Sequence, residues 1–299
     1  MSDGFRLTSP TLRDHPLFFL LGCATNILIV SFVLLSLYGV FWEFSTREYL
    51  RGFSDAIVPF AAPPEQQVQA ILTWMDRGPA RNQFGASGDF SGRDPVNTLN
   101  YAGLLRACGT ATNAFVNLAD AGGLEARRLL LLGPSGNTNH VVAEVHIDGR
   151  WIVVDPSYRV IPRDVFGRLL TKEQLAEPNT FRLATSAMAH YDPRYAYTHT
   201  EHIHLTGVPI VGAALRRVLN SLFPEWDESM RWTLLVERRS YAVLVMGPLL
   251  LVLSLLWRHA LDVYGRKFLG VSPVRLRVQL KQGSLALLGR PDRAATVAE

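Results

Sequence analysis

Two stretches of the chain carry no charged side chain. Leu17 to Trp42 runs for 26 residues. At about 1.5 Å of rise per residue, a helix of that length crosses a bilayer with room to tilt. Tyr241 to Trp257 is 17 residues long, with Gly247-Pro248 in its middle. That is the short end of a span, and membrane helices tolerate such breakers. Trp42, Tyr241 and Trp257 stand at the ends, where aromatic belts form. The first stretch far exceeds the apolar core of a signal peptide, and no small-x-small cleavage site follows it closely, so it reads as an uncleaved anchor. The second has a competing reading as a buried core helix, on account of its length.

Between the two, the pattern is that of a globular domain. Pro63-Pro64 suits a helix start. Val68, Ile71, Leu72 and Met75 after it share one helical face, and Gly78-Pro79 closes the segment. Residues 82–97 are rich in Gly, Asp, Ser and Asn and read as a loop. Residues 110–121 lack Pro and Gly and carry apolar residues at 111, 114, 115, 118 and 119, the spacing of a buried helical face. Gly122-Gly123 supplies the stop. Arg127 to Leu132 reads as a central strand, and residues 133–139 as a polar loop. His140 to Ile147 and Arg150 to Asp155 flank Asp148-Gly149, the strongest short-range hairpin signal. Thr171-Lys-Glu-Gln resembles a helix start. Val211, Leu215, Val218, Leu219 and Leu222 form an amphipathic stripe, either on the membrane surface or packed on the domain. Val274 to Lys281 alternates with period two, as a strand pairing with a partner or as a segment on the bilayer.

Candidate chemistry sits at the edges of these elements. Cys108 falls at or just before the first turn of the 110–121 helix, where unpaired N–H groups and the helix dipole favour a thiolate. A neighbouring His lowers a thiol pKa further. A two-residue turn at Asp148-Gly149 pairs Ile147 with Arg150, and counting outward sets Val142 opposite Asp155. His140 and Asp155 are then diagonal neighbours on one face, close enough for the carboxylate to orient the imidazole, whereas a three-residue bulged turn would slip the register by one and put them on opposite faces. The opposite face carries Val141, Ala143, Val145, Ile147, Ile152 and Val154, which fixes the register.

Cys108 opening a helix, His140 starting a strand that runs to Glu144-Val145, and Asp148-Gly-Arg-Trp-Ile-Val-Val-Asp155-Pro156 together resemble the transglutaminase-like superfamily. The close match covers about 60 residues, and a looser one residues 62–160. Where the family often has an aromatic residue two after the His, this chain has Val142. The resemblance implies an α+β, cysteine-proteinase-like domain, with a nucleophile helix packed on an antiparallel sheet. It implies a papain-related triad of Cys108, His140 and Asp155 acting on a peptide or other amide or ester, by hydrolysis or by transfer to an amine. The oxyanion of such a reaction needs donors: the Cys108 backbone N–H is one, and Asn100 and Tyr101 are side-chain candidates. A non-catalytic subunit of an envelope or polysaccharide-assembly complex is the competing reading.

Composition sharpens this picture. At 299 residues, 48% hydrophobic and with a mean hydropathy of +0.12, the chain is apolar for a soluble protein, and the excess lies in the two uncharged stretches. Arg6 and Arg13 precede the first, while Arg258, Arg266, Lys267, Arg275 and Arg277 follow the second. Positive-inside bias then gives residues 1–16 as a cytoplasmic tail, 17–42 as a span and 43–61 as a juxtamembrane connector. Residues 62–239 become the extracytoplasmic domain, 240–257 the second span and 258–299 a basic cytoplasmic tail. In a bacterium this is a two-pass inner-membrane protein with a periplasmic domain. The net charge of +4 reflects topology and contact with anionic lipid rather than nucleic-acid binding. Lipid bilayer and other envelope proteins are the expected partners. Only Cys23 and Cys108 are present, one inside a span and one outside, so they do not pair. His190, His199, His202 and His204 match no standard zinc spacing and read as a hydrogen-bonded or solvated loop. No cofactor or metal is expected. No Gly-rich phosphate loop, heptad run or internal repeat is present.

Overall fold

The computed structural model describes residues 15–77, 95–99, 104, 107–134, 136–186, 188, 190–203, 212–224, 226–228, 230–271, 277, 280 and 284. Two compact units result: residues 42–242 form one, and the described residues on either side form the other.

The flanking unit consists of the parts of two long helices before residue 42 and after residue 242. α1 spans Pro16–Ile57, and the last described long helix, here α9, spans Arg239–Tyr264 and continues into a π-turn at Gly265–Leu269. Both are long and apolar enough to cross a membrane, with mean hydropathies of 2.4 and 2.1 over their most apolar windows. Only 11% of the second window is buried, which argues against its reading as a core helix. Within this unit the helices approach at small residues. A Cβ added at Gly39 would lie 3.0 Å from the Leu244 backbone nitrogen, and one at Gly247 3.0 Å from Ser36 Oγ. Close backbone approach of this kind is how membrane helices pack without a hydrophobic driving force. Both helices outrun their uncharged stretches, and α1 continues unbroken to Ile57 through most of the segment expected as a connector.

In the other unit, α2 (Pro64–Asp76) starts with Pro at its first position and buries Val68, Ile71, Leu72 and Met75, the expected face. α3 (Pro95–Thr98) is a helical turn at the end of the stretch read as a loop. Thr98 donates to Asn113 Oδ1 at 2.7 Å. α4 (Cys108–Ala121) ends at Gly122, followed by Gly123 at φ +85°. β1 (Ala126–Leu132), β2 (Thr138–Ile147), β3 (Arg150–Val154) and β4 (Thr200–Glu201) make one antiparallel sheet in the order β3-β2-β1-β4. The Asp148-Gly149 turn has φ +49° and +76°, and Ile147 pairs with Arg150 as expected. β2 begins two residues before His140, inside the stretch read as a loop, with a register shift between Leu131 and Leu132.

Both faces of the sheet are covered. Ala143, Val145, Ile147, Ile152 and Val154 pack with Ala111, Ala114, Phe115 and Leu118 of α4 and with the α2 face. Leu129, Leu131, Val142 and Val153 face the other way, into a layer with Leu170, Leu175, Tyr191, Tyr195 and Tyr197. Two-sided burial explains why β1 reads as a continuous apolar run rather than an alternating one.

That second layer comes from α5 (Lys172–Leu175), α6 (Pro178–Thr185) and the irregular chain after them. α5 is capped by reciprocal Thr171 and Gln174 bonds, the helix start seen in its sequence. α7 (Gly212–Leu222) leaves Val218 and Leu222 exposed, and α8 (Met230–Glu237) leads into α9. Arg277 and Leu280, the described residues of the segment read as a strand, are helical.

Candidate active site

Cys108 is the first residue of α4 and is half-buried. Thr110 shapes this helix end: its hydroxyl accepts from the Ala107 backbone N–H at 3.1 Å and lies 2.8 Å from the Ala107 carbonyl. The first N–H groups of any helix lack intrahelical partners and carry the positive end of the dipole. A sulfur placed here therefore meets a field that favours its anion. One turn later, Thr112 donates to the Val141 carbonyl at 3.0 Å, tying α4 to the residue after His140.

His140 and Asp155 are fully buried. The observed register (Ala143 with Val154, Glu144 with Val153) continues to put them on one face. His140 Nε2 lies 2.7 Å from Asp155 Oδ2. Asp155 Oδ1 accepts from the backbone N–H groups of Ser157 at 3.0 Å and Tyr158 at 3.3 Å, so the carboxylate is held from both sides. With Nε2 committed as donor to a carboxylate, Nδ1 is left as the acceptor nitrogen. It is buried and has no oxygen or nitrogen partner. Cys108 also acts on the ring. Burial opposes the His140 imidazolium, yet hydrogen bonds to Asp155 and Cys108 and the negative charges of both raise its pKa to about 9. Thiol, imidazole and carboxylate are thus brought together.

Four tyrosines surround this pair, and none was singled out from the sequence. Tyr195 stacks on the His140 ring, with centroids 4.1 Å apart and planes within 2°. Tyr158 stands edge-on to the same ring at 6.0 Å. Tyr191 and Tyr197 share a hydroxyl contact at 3.2 Å. Burial first, then the Asp155 charge, pushes both phenols far above their usual range, so they stay protonated. The one available signal was the aromatic density of Tyr191-Asp-Pro-Arg-Tyr195-Ala-Tyr197 in a segment without periodicity.

Asn100 and Tyr101, the proposed oxyanion donors, lie outside the described residues. The histidine-rich segment is partly an edge strand rather than a loop. Thr200–Glu201 pairs with β1, and buried His202 lies 2.8 Å from Glu144 Oε2. Arg127 also donates to that oxygen at 2.9 Å, so this His-carboxylate pair is neutralised by a cation where the His140 pair faces a thiol. No group of three or more His, Cys, Asp or Glu arranged to hold a metal occurs among the described residues.

Residues 51–156 match the family model described as the transglutaminase-like superfamily. No curated protein and no solved structure matches the chain. The matched stretch includes α2, α4, the β1–β3 sheet and all three candidate residues, and it ends one residue after Asp155. Residues 51–156 are thus a domain of the transglutaminase-like superfamily.

Proposed function

We propose that this chain is a membrane-anchored thiol acyl-transfer enzyme, acting on a peptide or another amide or ester through a thioester on Cys108. The observation that carries this reading is an imidazole bonded at 2.7 Å to a buried carboxylate through Nε2, with Nδ1 left for the sulfur. His140 Nδ1 takes the thiol proton, and the Cys108 sulfur adds to the substrate carbonyl. The carbonyl oxygen becomes an oxyanion facing the α4 N-terminus. As the carbon–nitrogen or carbon–oxygen bond breaks, the imidazolium gives its proton to the leaving group. Water or an amine, deprotonated by His140, then attacks the thioester and releases the thiolate. Asp155 keeps the ring in the Nε2–H tautomer throughout.

Labelling with a fluorescent iodoacetamide tests the reading, using full-length protein in detergent with Cys23 replaced by Ser. Label is expected to enter at pH 6, where an ordinary thiol of pKa about 8.5 is almost wholly protonated, and to be lost in Cys108→Ala. Labelling that rises only above pH 8 would sink the enzymatic reading and favour a transglutaminase-fold subunit that binds without chemistry.

A further inference from the structure

We propose that Tyr195 is a positioning residue for this chemistry: its ring face holds the His140 imidazole in plane and stabilises it as the cation. This rests on the thiol–imidazole reading above. His140 is fully buried, and Tyr195 is 8% exposed. Their planes are parallel within 2° at 4.1 Å, so the imidazole lies flat on the electron-rich face of the phenol. A cation there is attracted by the ring quadrupole, most strongly when both are desolvated.

The tyrosine is itself pinned. Tyr191 meets it at 90° with centroids 5.5 Å apart, the edge-to-face geometry that aromatic pairs prefer. Its backbone N–H bonds to the Asp192 carbonyl at 3.2 Å. Asp155 constrains the imidazole only along the Nε2 direction. Rotation about that bond would swing Nδ1 off the sulfur, and a flat ring against the imidazole face resists it. The second layer of the sheet therefore has a task beyond covering apolar surface.

The groups that bear on the His140 charge are Cys108 from α4, Asp155 after β3, Tyr158 from the following turn, and Tyr195 and Asp192 from the later segment. Asp192 is half-buried and bound to Arg194, so Tyr195 is the group whose removal isolates the ring-face contribution.

Chloroacetamide alkylation of the full chain in detergent, followed from pH 4 to 11, provides the test. In the wild type, a step near pH 9 is expected, where the imidazolium beside the thiolate loses its proton. Tyr195→Leu is expected to move that step down by about one pH unit, and Tyr195→Phe to leave it in place. Pentafluorophenylalanine at 195 keeps the ring's shape but removes its negative face, and is expected to behave like Leu. This arm decides the matter if Tyr195→Leu fails to fold. An unmoved step with pentafluorophenylalanine, or a Tyr195→Phe shift as large as that of Tyr195→Leu, overturns the proposal. A wild type with no low-pH reactivity overturns instead the reading on which it rests.

Discussion

Asp155 supports His140 in two ways that a single substitution separates. Its Oδ2 fixes the ring through Nε2, and its negative charge is among the causes that hold the imidazolium proton to about pH 9 against the opposing effect of burial. Asparagine retains an acceptor oxygen but not the charge. A hydrogen bond to a charged group contributes about 1.5–3 kcal/mol, or roughly one to two pH units on the ring. Since the raised pKa means that the proton is lost only on the alkaline side, losing the carboxylate must bring that loss to lower pH. The alkylation step of Asp155→Asn is accordingly expected about one to two units below the wild type. A step that stays near pH 9 would mean that the carboxylate is a spacer rather than a charge partner. These three side chains were legible in the sequence because each stands at the edge of a strongly patterned element: a helix closed by two glycines, and a hairpin closed by Asp148-Gly149. Tyr195 was not, since its position depends on a contact across 55 residues made by a segment with no period of its own.

The elements are joined by polar side chains buried where the apolar pattern gave no hint of them. Arg238 is 1% exposed, and it donates to Asn117 Oδ1 at 2.8 Å, Glu43 at 3.1 Å and Asp120 at 2.6 Å. Ser240 donates to the other oxygen of Glu43 at 2.7 Å. The middle of α1, the start of α9 and the back of α4 are thereby held around one guanidinium. Asn113 extends the network, reaching the Glu237 carboxylate at 2.8 Å, which in turn accepts from Arg128 of β1 at 2.8 Å. Read as sequence, Glu43 and Arg238 were simply charges flanking two spans, and only the fold pairs residues so far apart. Removing one partner of a buried ion pair costs about 3–5 kcal/mol, because the other is left uncompensated. Arg238→Met should therefore lower the thermal midpoint sharply, and adding Glu43→Gln should restore part of the loss. Simple additivity in this double-mutant cycle would show the two groups to be uncoupled.

At the scale of the whole chain, the arrangement of charge about the two long helices bears on where the thiol works. Arg6 and Arg13 precede the first uncharged stretch, and five Lys or Arg residues follow the second by position 277. Arg238 and Arg239, on the other side of the second stretch, oppose this bias. Arg238 has a separate reason to be there, as the centre of the buried ion network, and Arg47 and Arg51 after the first stretch also count against the bias. The exposed apolar side chains of α1 and α9, Leu20, Leu34, Phe41, Leu249, Leu253 and Leu256 among them, suit a lipid environment. With both helices crossing, the two ends of the chain lie on one side and residues 43–239 on the other. We propose that the basic ends are cytoplasmic and that the site faces outward. In sealed inverted membrane vesicles, added protease should remove a tag fused after residue 299 and leave the central domain intact. A cleaved domain with a protected tag would reverse the orientation. A domain and tag both open to protease would show that the second helix does not cross.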